Sequence, residues 1–134
     1  MTEEAYRKKC EELLTKQLPV ESPEELMRAA VEIEALGYLA TVFQARAENH
    51  HAELDKLMTT SRANAYNEVT GKTAPERQAK VESLVSDIAK QLAFTEAKVK
   101  FYRNLSALID RRVGLTQSTL ANMSAQIKAG IITR

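Results

Sequence analysis

The stretch Ser61–Lys80, SRANAYNEVTGKTAPERQAK, decides how this chain is laid out. One helical pattern runs into it, Thr70-Gly71-Lys72-Thr73 interrupts it, and a second helical pattern leaves it. Glycine reaches positive φ without a Cβ penalty, and Thr73-Ala74-Pro75-Glu76 has the S/T-x-x-E spacing of a capping box. The spacing therefore predicts a hairpin tip at 70–73. Arg62, Lys72, Arg77 and Lys80 lie on or near that tip, so an assembly that brought several tips together would concentrate positive charge there.

Composition points the same way. The 134 residues are 44% hydrophobic, enough for a packed core in about one domain. Four glycines, three prolines, three Phe, four Tyr and no Trp give few turn signals and few aromatics for a many-stranded sheet. The Ala, Leu, Glu, Lys and Gln content favours helix, so the expected class is all-α. The single cysteine, Cys10, has no intrachain disulfide partner, which suits a reducing compartment and a cytoplasmic location. No apolar run reaches the roughly 18 residues of a membrane span, and MTEEAYRKKCEE lacks the apolar core of a signal peptide.

Working outward from the tip, Ser22-Pro23-Glu24-Glu25 starts the incoming helix. Serine stands at the N-cap, proline at N1, and two carboxylates face the positive end of the dipole. Its apolar stripe is Leu26, Ala29, Ile33, Leu36, Ala40, Phe43, Ala47, His50, Leu54, Leu57. Steps of three and four mark the seam of a helix pair. Thr59–Asn64 is weak in helix propensity, and a kink or frayed end is expected there. The outgoing segment carries the longest repeat: Val81, Val85, Ile88, Leu92, Thr95, Val99, Tyr102, Ser106, Ile109, Val113, Thr116, Leu120, Met123, Ile127. A bend is expected at Gly114 and a stop at Gly130.

Ahead of both arms, residues 1–18 form a short helix with Tyr6, Cys10, Leu13, Leu14 and Leu18 at helical spacing, ended by Pro19. Continuous helices over 23–69 and 74–129 would be about 70 and 84 Å long at ~1.5 Å per residue. A compact chain of this size has a radius of gyration near ~14 Å. Either the helices break, near Gly37, Thr60 and Gly114, or their seams are buried in other copies. The preferred layout is a single all-helical domain, 1–134. It comprises the N-terminal helix, a helical hairpin over 23–112 and a C-terminal oligomerising helix over 113–134.

Charge divides along the hairpin. Residues 1–69 carry net −5 and residues 70–134 net +6. Head-to-tail association, an anionic partner or cancellation between antiparallel helices each follow from such a division, and cancellation is the plainest. Catalytic chemistry has no comparable signal. Histidines occur only at 50 and 51, there is no nucleophile elbow, and Gly71-Lys72-Thr73 lacks the earlier glycine and strand of a Walker A motif. Glu48 and His51 have the Glu-x-x-His spacing of bundle-core metal sites. One chain supplies only half of such a site, so completing it takes a symmetric dimer with added carboxylates such as Glu32 or Glu53. His50 on the seam reads more simply as a core histidine, with His51 its solvated neighbour. No metal or other cofactor is expected.

The basic residues remain. Lys56 and Arg62 lead into the tip, Lys72, Arg77 and Lys80 lead out, and Lys98, Lys100, Arg103, Arg111 and Arg112 follow. Single-stranded nucleic acid is held by positive grooves with aromatic platforms, for which Tyr66, Phe101 and Tyr102 are the candidates. The alternative is a solvated charged surface on a coiled-coil assembly or adaptor protein with no nucleic-acid role.

The order of features resembles the UvsY-type recombination mediators of phages. It runs from a short acidic segment through a long helix with Tyr38-Leu39-Ala40 to Arg62-x-x-x-Tyr66 before a glycine turn. A long helix with Leu108-Ile109-Asp110-Arg111-Arg112-Val113-Gly114 and an apolar tail follows. The resemblance implies an all-helical, non-enzymatic protein that works in the bacterial host cell as a ring-like homo-oligomer. It implies binding of single-stranded DNA and help in loading a RecA-like recombinase onto strands covered by single-stranded-DNA-binding protein. Arg62 matches the family's DNA-binding basic residue, and Thr60 stands where the family has a lysine. Lys56, Lys72, Arg77, Lys80 and Tyr66 complete the expected DNA surface. Gly114 matches the step into the oligomerising segment, which makes Val113, Leu115, Leu120, Met123, Ile127 and Ile131 the expected intersubunit contacts.

Overall fold

A computed structural model describes residues 1–71 and 73–130. Lys72 and Ile131, expected in the DNA surface and the oligomer interface, lie outside the described residues. The fold is all-α, a helical hairpin of four helices, with no strand among the described residues: α1 Glu3–Thr15, α2 Pro23–Glu68, α3 Ala74–Leu84 and α4 Ser86–Lys128. The start signals work as chemistry requires. Thr2 Oγ1 accepts from Ala5 N at 3.2 Å, Ser22 Oγ from Glu25 N at 3.3 Å, and Thr73 Oγ1 from Glu76 N at 3.3 Å. Each cap satisfies one N–H that the first turn leaves without a partner.

Helix continuity differs from expectation in four places. α1 ends at Thr15, with Lys16 extended, although Leu18 still packs on the core. α2 runs unbroken through Thr59–Asn64, where the Thr59 and Thr60 hydroxyls donate back to the carbonyls of Asp55 and Lys56 within the helix. α4 runs unbroken through Gly114. The outgoing arm is interrupted instead at Val85, whose φ and ψ of −101° and 9° leave the α-helical region between Ser83 and Ser86.

The chain divides into two compact units, one of residues 1–43 with 102–134 and one of residues 44–101. In the first, Tyr6 and Cys10 of α1, Ile33, Leu36, Ala40 and Phe43 of α2, and Tyr102, Leu105 and Ile109 of α4 form one apolar cluster. Three rings are at its centre: Tyr6 lies 5.0 Å from Phe43, and Phe43 stacks on Tyr102 at 5.6 Å. Both phenols are satisfied, Tyr6 donating to Leu36 O at 2.7 Å and Tyr102 to the Glu3 carboxylate at 2.8 Å. Arg112 donates to Lys16 O, which ties α4 to the end of α1. Gly37 is not a break. A Cβ there would lie 3.2 Å from Ile109 Cγ2, so glycine lets α2 and α4 approach closely.

In the second unit Ala47, Leu54, Met58 and Ala65 of α2 bury with Val81, Val85 and Thr95. All fourteen seam positions expected from Val81 to Ile127 are buried or half-buried. The α2 seam departs from its expected course after Ala47. It steps to His51, Leu54 and Met58, leaving His50 and Leu57 exposed. Phe43, Ala47, His51 thus includes two successive steps of four, a stutter that locally unwinds a heptad seam. Met58, rather than Leu57, continues the apolar line.

Candidate nucleic-acid interface

The tip is built from its capping residues. With Thr73 capping α3, the next two turns carry Arg77 and Lys80 back over the link. Arg77 Nη1 donates to Gly71 O at 2.9 Å, and Lys80 Nζ donates to Thr70 O at 2.6 Å while standing 4.0 Å from Glu76. Both cations hold link carbonyls. Gly71 does not use positive φ, which among the described residues belongs to Gly130 at 75°. Its requirement is space, since a Cβ there would lie 2.9 Å from Arg77 Cγ. Arg62 is engaged as well: its Nη2 reaches both Glu82 oxygens, at 3.0 and 3.1 Å. Exposed ion pairs of this kind contribute about 0.2–1 kcal/mol. They leave the pair near neutral.

Of the other expected DNA residues, Lys56 is exposed on α2 and Tyr66 is exposed near its end. Phe101 is exposed, whereas Tyr102 is wholly buried in the three-ring cluster and offers no platform. The residues missed from sequence are Lys90 and Phe94. Lys90, Phe94, Lys98 and Phe101 are spaced by four, four and three, which puts them on one face of α4. Phe94 is 65% exposed, and Lys98 Nζ lies 5.7 Å from the centre of its ring. This is cation–π geometry. The signal was there in the three-and-four spacing of a second apolar line beside the stronger seam.

The histidine assignment is reversed. His51 turns inward, its Nδ1 3.0 Å from Thr95 Oγ1, and that hydroxyl donates to Leu92 O. His50 is exposed. Glu48 accepts a hydrogen bond from Gln44 at 3.1 Å, and among the described residues no group of three potential metal ligands gathers.

The expected oligomer residues fall into two sets. Met123 is buried, and Val113 packs against the apolar cluster. Leu120 and Ile127 are half-buried on the same seam, while Leu115 is 51% exposed. Burial pushes the Tyr6 phenol, the Cys10 thiol and the Tyr102 phenol above their ordinary ranges, and at Tyr102 the Glu3 carboxylate adds to the effect. Among the described residues no helix is long and apolar enough to cross a membrane. Comparison with protein-family models, curated proteins and solved structures found no match.

Proposed function

We propose that this chain binds single-stranded DNA without sequence preference. In this reading it acts as a homo-oligomeric recombination mediator that helps load a RecA-like recombinase onto strands covered by single-stranded-DNA-binding protein. The observation that carries the DNA contact is the Lys90, Phe94, Lys98, Phe101 line. Exposed rings offer bases a stacking surface while ammonium groups beside them meet phosphates. Lys56 and Tyr66 supply further exposed charge and ring surface in the same unit, while Lys100 is paired with Glu96 at 3.5 Å. Arg62, Arg77 and Lys80 contribute only where a phosphate displaces Glu82 or a link carbonyl.

Residues 44–101 carry a net charge of only +1, so one copy binds weakly. Joining copies raises the effective concentration of each further contact. The test is anisotropy of a labelled oligonucleotide at low and high salt. The expected result is tight binding at low salt that falls steeply as salt rises, by counterion release. Phe94→Ala is expected to cost about 1–3 kcal/mol of binding, and Lys90→Glu with Lys98→Glu to flatten the salt dependence. Binding unchanged in both variants would reject this surface. Mediation is tested separately, by whether the protein shortens the lag of a recombinase's DNA-dependent ATPase on covered strands.

A further inference from the structure

Two apolar faces of the first unit are left uncovered. On α2, Val31 and Tyr38 are 67% and 72% exposed, and Glu34 shares their face. On α4, Leu108 and Leu115 are each 51% exposed, with Arg111 between them. Both pairs are seven residues apart, so each repeats on one side of its helix at the period a partner helix needs. Scattered surface leucines need no explanation, but large apolar residues repeated at this period do.

The faces differ in charge and direction. At about 100° per residue, Glu24, Arg28 and Glu34 flank Val31 and Tyr38, net −1, whereas Arg111 and Arg112 flank Leu108 and Leu115, net +2. Among the described residues Glu34 and Arg111 take part in no ion pair. Glu34 and Tyr38 border a groove with Ser106, Asp110 and Val113 of α4. At about 100° per residue, Leu108 and Leu115 lie nearly half a turn of α4 away from those three residues. A surface that is acidic and apolar on one side and basic and apolar on another is complementary to itself only head to tail.

We infer that the Val31–Tyr38 face of one copy packs against the Leu108–Leu115 face of a second copy, with Glu34 and Arg111 brought together at the contact. This deepens the homo-oligomer part of the mediator reading. It places the contact on the outer helix faces rather than on the α4 seam that is already buried. A heterologous contact leaves one face open on every added copy, so assembly continues past a dimer, into a ring where the rotation closes and an open filament where it does not.

The test uses two variants, Val31→Glu/Tyr38→Glu and Leu108→Glu/Leu115→Glu, with masses read by sedimentation velocity in the absence of DNA. The wild-type chain is expected to assemble beyond a dimer. Each variant alone should be a monomer, and an equimolar mixture should form a one-to-one dimer that grows no further, because one intact pair of faces remains. A monomeric wild type, either variant assembling alone, or a mixture that stays monomeric would overturn the inference. Helical circular dichroism checks folding, and serine at the same four positions repeats the test if glutamate unfolds the chain. Assembly through these faces without oligonucleotide binding would sink the DNA reading alone, and tight DNA binding by a monomer would sink the interface alone.

Discussion

Tyr6 holds α1 to the first unit by two separable means, and removing them one at a time gives different magnitudes. Tyr6→Phe deletes the 2.7 Å hydrogen bond to Leu36 O and keeps the ring. Leu36 lies within α2, where its carbonyl retains the helical acceptor role, so the loss is one ordinary hydrogen bond, about 1 kcal/mol. Tyr6→Ala also removes a wholly buried ring packed against Phe43 and facing Tyr102 at 6.4 Å. Truncating such a ring costs about 3–5 kcal/mol. For a chain of this length 1 kcal/mol corresponds to about 4 °C, so the expected falls in Tm are roughly 4 °C and 12–20 °C. Thermal unfolding followed by helical circular dichroism reads both. A Tyr6→Ala variant melting within about 4 °C of wild type would refute the docking of α1 described here.

Other expectations follow from single contacts. Tyr6, Cys10 and Tyr102 hold their protons more tightly folded than unfolded. Stability should therefore be fully present below the ordinary thiol and phenol range, about 8.5–10, and fall as pH rises through it. The urea midpoint against pH measures this, and Tyr6→Phe should shrink the fall. His51→Ala breaks the contact with Thr95 and should cost about 0.5–1.5 kcal/mol in a urea titration, with no loss arguing against an inward His51. Gly114→Ala meets nothing within 4 Å and should raise stability by about 0.5–1 kcal/mol. Gly37→Ala meets Ile109 at 3.2 Å and should gain less or lose. Equal gains at both positions would contradict the close approach of α2 and α4.

Much of the fold was legible because local chemistry carries it. Ser22-Pro23 and Thr73-x-x-Glu76 announce helix starts with side chains that act within one turn, and the α4 seam repeats for six heptads without interruption. The stutter at His51 was not legible, since choosing between adjacent seam positions depends on what the opposite helix presents, here the Thr95 hydroxyl. The candidate site was less readable for a similar reason. Arg62, Arg77 and Lys80 look alike in sequence to any solvated cation, and only the fold brings Glu82, Gly71 O and Thr70 O to them. Tyr102 stands in the seam repeat itself, so its burial was legible from the register, and reading it as a stacking platform set that register aside. Phe94, one residue before buried Thr95, is the exposed one.

The lone thiol has a practical consequence. Cys10 is 3% exposed and lies one helical turn past Tyr6, so an alkylating reagent reaches it only in molecules whose first helix has lifted away. The wild-type chain thus carries its own gauge of that opening. Labelling rates compared with and without an oligonucleotide, or at rising protein concentration, would tell whether strand capture or self-assembly clamps the amino-terminal helix, with no residue changed.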